Sequence, residues 1–222
     1  MSLSKILGFY PDNLQIYEQA LLHKSSSVET GDGKWLNNER LEFLGDAVLE
    51  LVSSEQIYKD NPTKPEGDMT RMRASWVCEP TLALCARDID LGEYVMLGRG
   101  EDLTGGRERD SILSDTLEAT IGAVYLDGGF EKAKEYIDRH ILKDIENKKL
   151  FYDSKTILQE IVQGEHLEME YELLKEEGPD HNKSFTVAVN INGERLTTAT
   201  GRTKKKAEQS AAYQAILKLH KS

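Results

Sequence analysis

The stretch "NNERLEFLGDAVLE", residues 37–50, decides the fold of the first part of the chain. Its apolar residues recur at close to helical spacing, yet acidic residues fall among them at Glu39, Glu42 and Asp46. Gly45 lies beside Asp46, although a glycine inside a helix costs about 1 kcal/mol relative to alanine. A helix of this kind is expected where another backbone approaches closely and where its acids face something other than apolar side chains.

The composition is that of an ordinary globular protein. The chain has 222 residues, of which 39% are hydrophobic and 30% charged, enough for one large domain or two smaller ones. No apolar run approaches the roughly 20 residues that span a bilayer, and the N-terminus lacks the apolar core of a secretory signal. Cys78 and Cys85 have no further ligands at zinc spacing, so we expect buried free thiols. The expected location is therefore the cytoplasm, with no membrane partner.

The net charge of −11 is unevenly distributed. Residues 1–150 hold 18 basic and 28 acidic residues, whereas residues 151–222 hold 10 and 11. Within the second part, residues 201–222 have a net charge of +5. Contacts with a charged partner depend on such local patches more than on the global charge, so the acidic total does not exclude a nucleic acid.

The pattern of elements changes near residue 150. Residues 1–149 read as helices with no clear strand, and the glycine-rich segment 91–110 reads as a loop. The apolar segment 111–129 predicts a buried helix that ends at its two terminal glycines. Residues 150–222 read as helix, three strands and helix. We therefore predict an all-α domain over 1–149, followed by a small α+β domain over 150–222.

Two pairs of acids stand at helical spacing. Glu42 and Asp46 are four residues apart, and Asp115 and Glu118 are three apart, so each pair projects from one helix face. Such pairs commonly lie on a solvated face. The apolar surroundings of the second pair and Gly45 beside Asp46 weaken that interpretation, and two helices could instead bring four carboxylates together around a cation. The spacing alone does not decide between the two arrangements. Carboxylate oxygens suit Mg²⁺ or Mn²⁺, whose bound waters can serve as nucleophiles in phosphodiester hydrolysis.

A family resemblance supports the second arrangement. The segment "ERLEFLGDA", residues 39–47, resembles the signature motif of the ribonuclease III family. The segment "GGRERDSILSDTLEATIGAVYLDGGF", residues 105–130, resembles that family's second acidic segment, apart from Asp110 where the family commonly has proline. The resemblance implies a helical endonuclease that hydrolyses double-stranded RNA with Mg²⁺, or Mn²⁺ as a substitute, and leaves 5′-phosphate and 3′-hydroxyl ends.

The resemblance also implies roles for individual residues. The metal ligands would be Glu42, Asp46, Asp115 and Glu118, with Asp46 and Glu118 as catalytic residues. Glu39 matches an acid with a structural role near the site. Phe43 matches the aromatic residue that packs across the family's dimer interface, so a homodimer with two equivalent sites is expected.

The end of the chain resembles a double-stranded RNA-binding domain. Lysines at 204–206 open a helix, where they form either a solvated charge cluster or a phosphate clamp. The segments "DSKTILQEIVQ" (153–163), "GPDHNKSF" (178–185) and "GRTKKKAEQSAAYQAI" (201–216) together carry the resemblance. By motif position the RNA-contacting residues would be Thr156, Gln159, Glu160, Gln163, Pro179, Asp180, His181, Thr203, Lys204 and Lys205. Domains of this kind cover about 16 base pairs and recognise shape rather than sequence.

Two other functions fit the same motifs less well. A non-catalytic double-stranded RNA-binding protein on this fold would be expected to lack one or more of the four acids, and all four are present. A DNA nuclease would not need a domain that favours A-form geometry and 2′-hydroxyl contacts. His23 is expected to be a helix-end residue satisfied by local hydrogen bonds rather than a general base.

Overall fold

The computed structural model describes residues 6–29, 35–178 and 183–219. The chain divides into two compact units, residues 1–145 and 146–222. Within the described ranges, no helix combines the length and the apolar character that crossing a bilayer requires.

The first unit is built from helices. They are α1 (Leu14–Ala20), α2 (Glu39–Asp60), α3 (Glu66–Trp76), α4 (Glu79–Asp88), α5 (Arg99–Leu103) and α6 (Asp110–Ile137). Helix α7 (Ile145–Tyr152) begins at the last residue of this unit, and the boundary that we expected after residue 149 falls inside it. The backbone of α6 leaves helical geometry at Gly129, where φ is 79°, as the glycine pair predicted.

Two local expectations for this unit are wrong. A short antiparallel ladder joins β1 (Val28–Glu29) to β2 (Trp35–Leu36), where no strand was expected. Strands of two residues are too short to show an alternating pattern. The segment 91–110 is not all loop, because it contains α5 and two 3₁₀ turns.

Helices α2 and α6 cross at a pair of buried glycines. A Cβ atom added to Gly45 would lie 2.9 Å from the backbone nitrogen of Gly122 and would collide with the Glu118 carbonyl oxygen. A Cβ atom added to Gly122 would lie 3.2 Å from the backbone nitrogen of Gly45. Because both positions lack a side chain, the two backbones meet more closely than ordinary helices do. The close approach expected at Gly45 is therefore confirmed.

The core of the first unit surrounds this crossing. Helix α6 is apolar along most of its length because it passes through the middle of the unit, and Leu117 and Ile121 are fully buried there. Leu49 and Val52 bury the facing side of α2. Both cysteines are free thiols as expected, but only Cys85 is buried, whereas Cys78 is partly exposed just before α4.

The second unit follows the predicted order of elements. It contains α8 (Ser154–Gly164), β3 (Met169–Glu177), β4 (Ser184–Ile191), β5 (Glu194–Gly201) and α9 (Lys204–Leu219). The strands form an antiparallel sheet in chain order, and the two helices pack on it through a core that includes Leu158, Val189 and Ile216. The predicted fold class, a helical domain followed by an α-β-β-β-α domain, is confirmed.

The glycine crossing yields a stability prediction. Gly45→Ala should lower the free energy of unfolding of the first unit by about 1–3 kcal/mol, because the added methyl group forces the two helices apart. Both tryptophans of the chain lie in this unit, so urea unfolding followed by tryptophan fluorescence reports on it alone.

Gly67→Ala is the matched control. Gly67 is also in a helix, but an added Cβ atom there meets nothing within 4 Å. This variant should keep or slightly raise the stability of the parent. If Gly45→Ala and Gly67→Ala are equally stable, the close packing of α2 and α6 at Gly45 is contradicted.

Candidate functional site

Three acids from the two crossing helices converge on one point. Helix α2 supplies Glu42, and helix α6 supplies Asp115 and Glu118. One carboxylate oxygen from each residue lies within 4.8 Å of the other two. The convergence follows from the glycine crossing, because the backbone of Glu118 itself is the group that packs against Gly45. All three side chains are partly buried, so their charges are only partly hydrated.

Asp46 lies beside this group rather than within it. It stands one turn after Glu42 on α2 and is exposed. Its charge nevertheless acts on Glu118, and it contributes more to the raised pKa of that residue than any other charge does. Burial raises the pKa of Asp46, the charge of Glu50 adds to this rise, and the charge of Arg73 opposes it.

Burial and mutual repulsion disfavour the ionised form of these acids. Burial, followed by the charges of Asp46, Asp115 and Glu42, raises the pKa of Glu118 to about 8. Burial is also the main cause of the raised pKa of Glu42, with the charge of Asp115 second. The pKa of Asp115 is raised by burial as well. Oxygen donors that repel one another at this range suit a hard divalent cation, which would offset the repulsion.

Glu39 is held beside the cluster by its neighbours. Its backbone N–H donates to Asn37 Oδ1 at 3.1 Å, and Asn37 Nδ2 donates to its carboxylate at 3.2 Å. Lys24 Nζ lies 3.7 Å from the same carboxylate, and its charge also acts on Glu42 and Asp115. Sequence reasoning missed Lys24, because nothing in the local sequence places residue 24 against helix α2.

His23 is buried in a local hydrogen-bond network, as expected. Its Nδ1 accepts a hydrogen bond from the Ser25 backbone N–H at 3.2 Å and lies 2.8 Å from the Ser25 hydroxyl. Burial lowers the pKa of His23, so the structure favours its neutral form.

An apolar stripe on α2 faces outward next to the acids. Phe43 is 81% exposed, and Leu51 and Tyr58 follow on the same side of the helix at 57% and 72%. A groove beside Phe43 is lined by Ile16, Leu44 and other residues of α1 and α2, together with Leu126 of α6. Large exposed apolar side chains in one stripe are typical of an interaction surface.

The second unit exposes the predicted RNA-contacting side chains that the structure describes. The residues Thr156, Gln159, Glu160 and Gln163 form one exposed face of α8. Lys204 and Lys205 are exposed in the first turn of α9. Thr203 Oγ1 accepts a hydrogen bond from the Lys206 backbone N–H at 3.1 Å, so it caps that helix. Pro179, Asp180 and His181 lie outside the described residues.

The raised pKa of Glu118 predicts how stability depends on pH without metal. Between its ordinary pKa of 4.5 and about 8, the folded protein keeps a proton that the unfolded chain has released. The folded state should therefore lose stability as pH rises through this window, by about 2 kcal/mol once solvent screening is allowed for.

Glu118→Gln removes the ionisable group. In EDTA it should unfold like the parent at pH 4.5 and be more stable than the parent at pH 8. Urea unfolding at both pH values measures this, with Glu135→Gln, an exposed acid of the same helix, as the control. A variant that is less stable than the parent at pH 8 would contradict the assignment.

Comparisons with known proteins identify both units. Residues 13–145 match the family model described as Ribonuclease-III-like, and residues 154–219 match the model described as Double-stranded RNA binding motif. The chain is 49% identical to Ribonuclease 3 of Pelotomaculum thermopropionicum over 206 residues, covering 90% of this chain and 85% of that protein. It is 47% identical to Ribonuclease 3 of Natranaerobius thermophilus over 225 aligned positions, covering 100% and 96%.

Solved structures agree with the sequence comparisons. The nuclease domain of ribonuclease III from Campylobacter jejuni is 40% identical with a TM-score of 0.59, covering 64% of this chain and 93% of that one. A second structure of that domain, described as flexible in a region involved in dimer formation, is 39% identical with the same TM-score, covering 65% and 99%. The chain therefore belongs to the ribonuclease III family, a family of metal-dependent nucleases, and is an endoribonuclease that cleaves double-stranded RNA.

Proposed function

We propose that the metal used by this endoribonuclease is Mg²⁺, with Mn²⁺ as a substitute, and that Glu42, Asp46, Asp115 and Glu118 hold it. The observation that carries the proposal is the convergence of Glu42, Asp115 and Glu118 within 4.8 Å, from two helices that cross at glycines. Mg²⁺ gives up its hydration water reluctantly, so a site needs strong negative charge to bind it. Four carboxylates supply more negative charge than one divalent cation carries positive charge.

Asp46 and Glu118 are the proposed catalytic residues. They come from different helices, and the charge of Asp46 is the one that acts most strongly on Glu118, so a cation between them would be held from two sides. Bound Mg²⁺ supplies charge stabilisation at the phosphate and a water of lowered pKa. In the proposed reaction a water oxygen forms a bond to phosphorus while the bond to the 3′ oxygen breaks. The attacking water gives up one proton and the leaving 3′ oxygen takes one, which gives 5′-phosphate and 3′-hydroxyl ends.

The second unit is proposed to hold the duplex. The exposed face of α8 would lie over one minor groove, and Lys204 and Lys205 at the start of α9 would contact phosphates. The positive end of the α9 helix dipole favours the same anionic partner. Pro179, Asp180 and His181, which lie outside the described residues, are proposed to enter the next minor groove.

We further propose that the protein is a cytoplasmic homodimer formed through the stripe of Phe43, Leu51 and Tyr58. Their exposure and the adjacent groove support an apolar contact with a second copy of the same surface. A two-fold dimer would present two equivalent sites to the two strands of a duplex.

Cleavage should depend on Mg²⁺ and on Glu118. A perfectly paired RNA of about 30 base pairs, roughly twice the span of one RNA-binding domain, should be cut by the parent with Mg²⁺ and not in EDTA. Glu118→Gln should still bind this RNA but cut it more than about 100-fold more slowly, beyond the effect usual for outer-shell changes at metal sites.

A gel assay on end-labelled RNA measures cleavage, and Glu135→Gln should cut like the parent. A DNA duplex of the same sequence should resist cleavage. Binding without cleavage by the parent in both Mg²⁺ and Mn²⁺ would instead favour the non-catalytic RNA-binding function and would contradict the proposed site.

The dimer should depend on Phe43. Phe43→Glu should convert the dimer, which has twice the chain mass of 25.0 kDa, into a monomer. The introduced carboxylate would otherwise be buried against the apolar groove of the partner. Sedimentation equilibrium measures the mass. Leu103→Glu, at a residue that is 78% exposed on α5, is the control and should leave the mass unchanged. A parent that sediments as a monomer would contradict the proposal.

A further inference from the structure

One acid in the second unit, Glu208, lies close to a lysine from each of the two helices α8 and α9. Glu208 of α9 has a side chain that is only 15% exposed. Lys155 of α8 donates to Glu208 Oε2 at 2.5 Å, and its ammonium also lies 4.9 Å from the centre of the Tyr171 ring. Lys155 is thus held by a charge on one helix and by an aromatic ring on the sheet. The pair fixes the start of α8 against the first turns of α9.

The second oxygen of the same carboxylate faces Lys204. Lys204 Nζ lies 4.0 Å from Glu208 Oε1, one helical turn away, and its side chain is 58% exposed. At that distance the ammonium is attracted by the carboxylate without being hydrogen-bonded to it, so this contact uses none of its three donors. Glu208 therefore restricts where Lys204 points and leaves it able to bind an anion.

We propose that Glu208 is a positioning residue for double-stranded RNA binding: anchored by Lys155, it holds Lys204 in the orientation in which that lysine meets a phosphate. This inference rests on the proposed contact between Lys204 and the RNA backbone. A lysine that is already oriented loses less conformational entropy when it binds. The anchor also ties that lysine to α8, so the two RNA-contacting elements keep a fixed spacing along the duplex.

The proposal predicts an effect opposite in sign to that of simple electrostatics. Glu208 is a negative charge close to a phosphate-binding lysine, so its neutralisation alone should strengthen RNA binding. If Glu208 positions Lys204, Glu208→Gln should weaken binding by roughly 3–10-fold instead, since part of the orientation is lost. Glu208→Asp keeps the charge but draws the carboxylate back, so it should also weaken binding.

The experiment is fluorescence polarisation of a labelled RNA duplex with the full chain in EDTA, over a range of salt concentrations. Lys204→Gln in the parent should weaken binding and lower the slope of log affinity against log salt by roughly one. In the Glu208→Gln background, the same change should have less than half of that effect on the logarithmic scale, because the lysine is no longer held.

Glu172→Gln is the matched control. Glu172 is an acid of the same unit that also pairs with a cation, Arg195 at 3.1 Å, but it lies on strand β3. This variant should bind RNA as tightly as the parent or slightly more tightly. The Glu208 variants should remain folded, because Ser154 Oγ still donates to the Gln209 carbonyl at 2.9 Å and the apolar core is untouched. Circular dichroism at the assay temperature checks this.

The outcomes distinguish the proposed contact between Lys204 and phosphate from the proposed positioning role of Glu208. If Lys204→Gln leaves affinity and salt slope unchanged, the phosphate contact is wrong and the positioning role is overturned with it. If Lys204→Gln weakens binding but Glu208→Gln and Glu208→Asp bind like the parent or more tightly, only the positioning role is overturned. Equal effects of Lys204→Gln in both backgrounds would also overturn it. The positioning role is supported if the folded Glu208 variants bind RNA more weakly than the parent and Lys204→Gln has a smaller effect in the Glu208→Gln background.

Discussion

The close crossing of α2 and α6 at Gly45 and Gly122 is the constraint on which the rest of the first unit depends. Because neither residue has a Cβ atom, the Glu118 backbone packs directly against Gly45. The side chains next to the contact are thereby forced together, and those side chains are acidic. The helix-stability cost of a glycine, about 1 kcal/mol, is offset by a packing that no larger residue permits.

The same geometry brings the carboxylates of Glu42, Asp115 and Glu118 close enough to repel one another. Burial and like charges raise the pKa of Glu118 to about 8, so the metal-free site cannot ionise fully at neutral pH. A bound cation would relieve the repulsion and stabilise the ionised form of these acids. Asp46, more exposed and beside the group of three, adds charge where the site opens to solvent. The metal-free protein therefore loses stability as these acids ionise, although the ionised form is the one that would bind a cation. Many active sites show the same conflict between stability and function.

The sequence was most informative where patterns are local. The spacing of Glu42 with Asp46 and of Asp115 with Glu118 predicted two acidic helix faces, and the family resemblance assigned their use. Gly45 indicated a close approach, but its partner Gly122 was not foreseen, because helix pairing is set by contacts distant in sequence. The positions of Lys24 and Glu208 could not be predicted for the same reason, and strands of two residues lack any periodic signal.

We propose that the two crossing helices form one metal site, and anomalous diffraction from crystals of the full chain soaked with saturating Mn²⁺ tests this most directly. We expect an anomalous peak ligated by Glu42 and Asp46 from α2 and by Asp115 and Glu118 from α6. The absence of any peak near these acids, or a peak ligated from one helix alone, would contradict it.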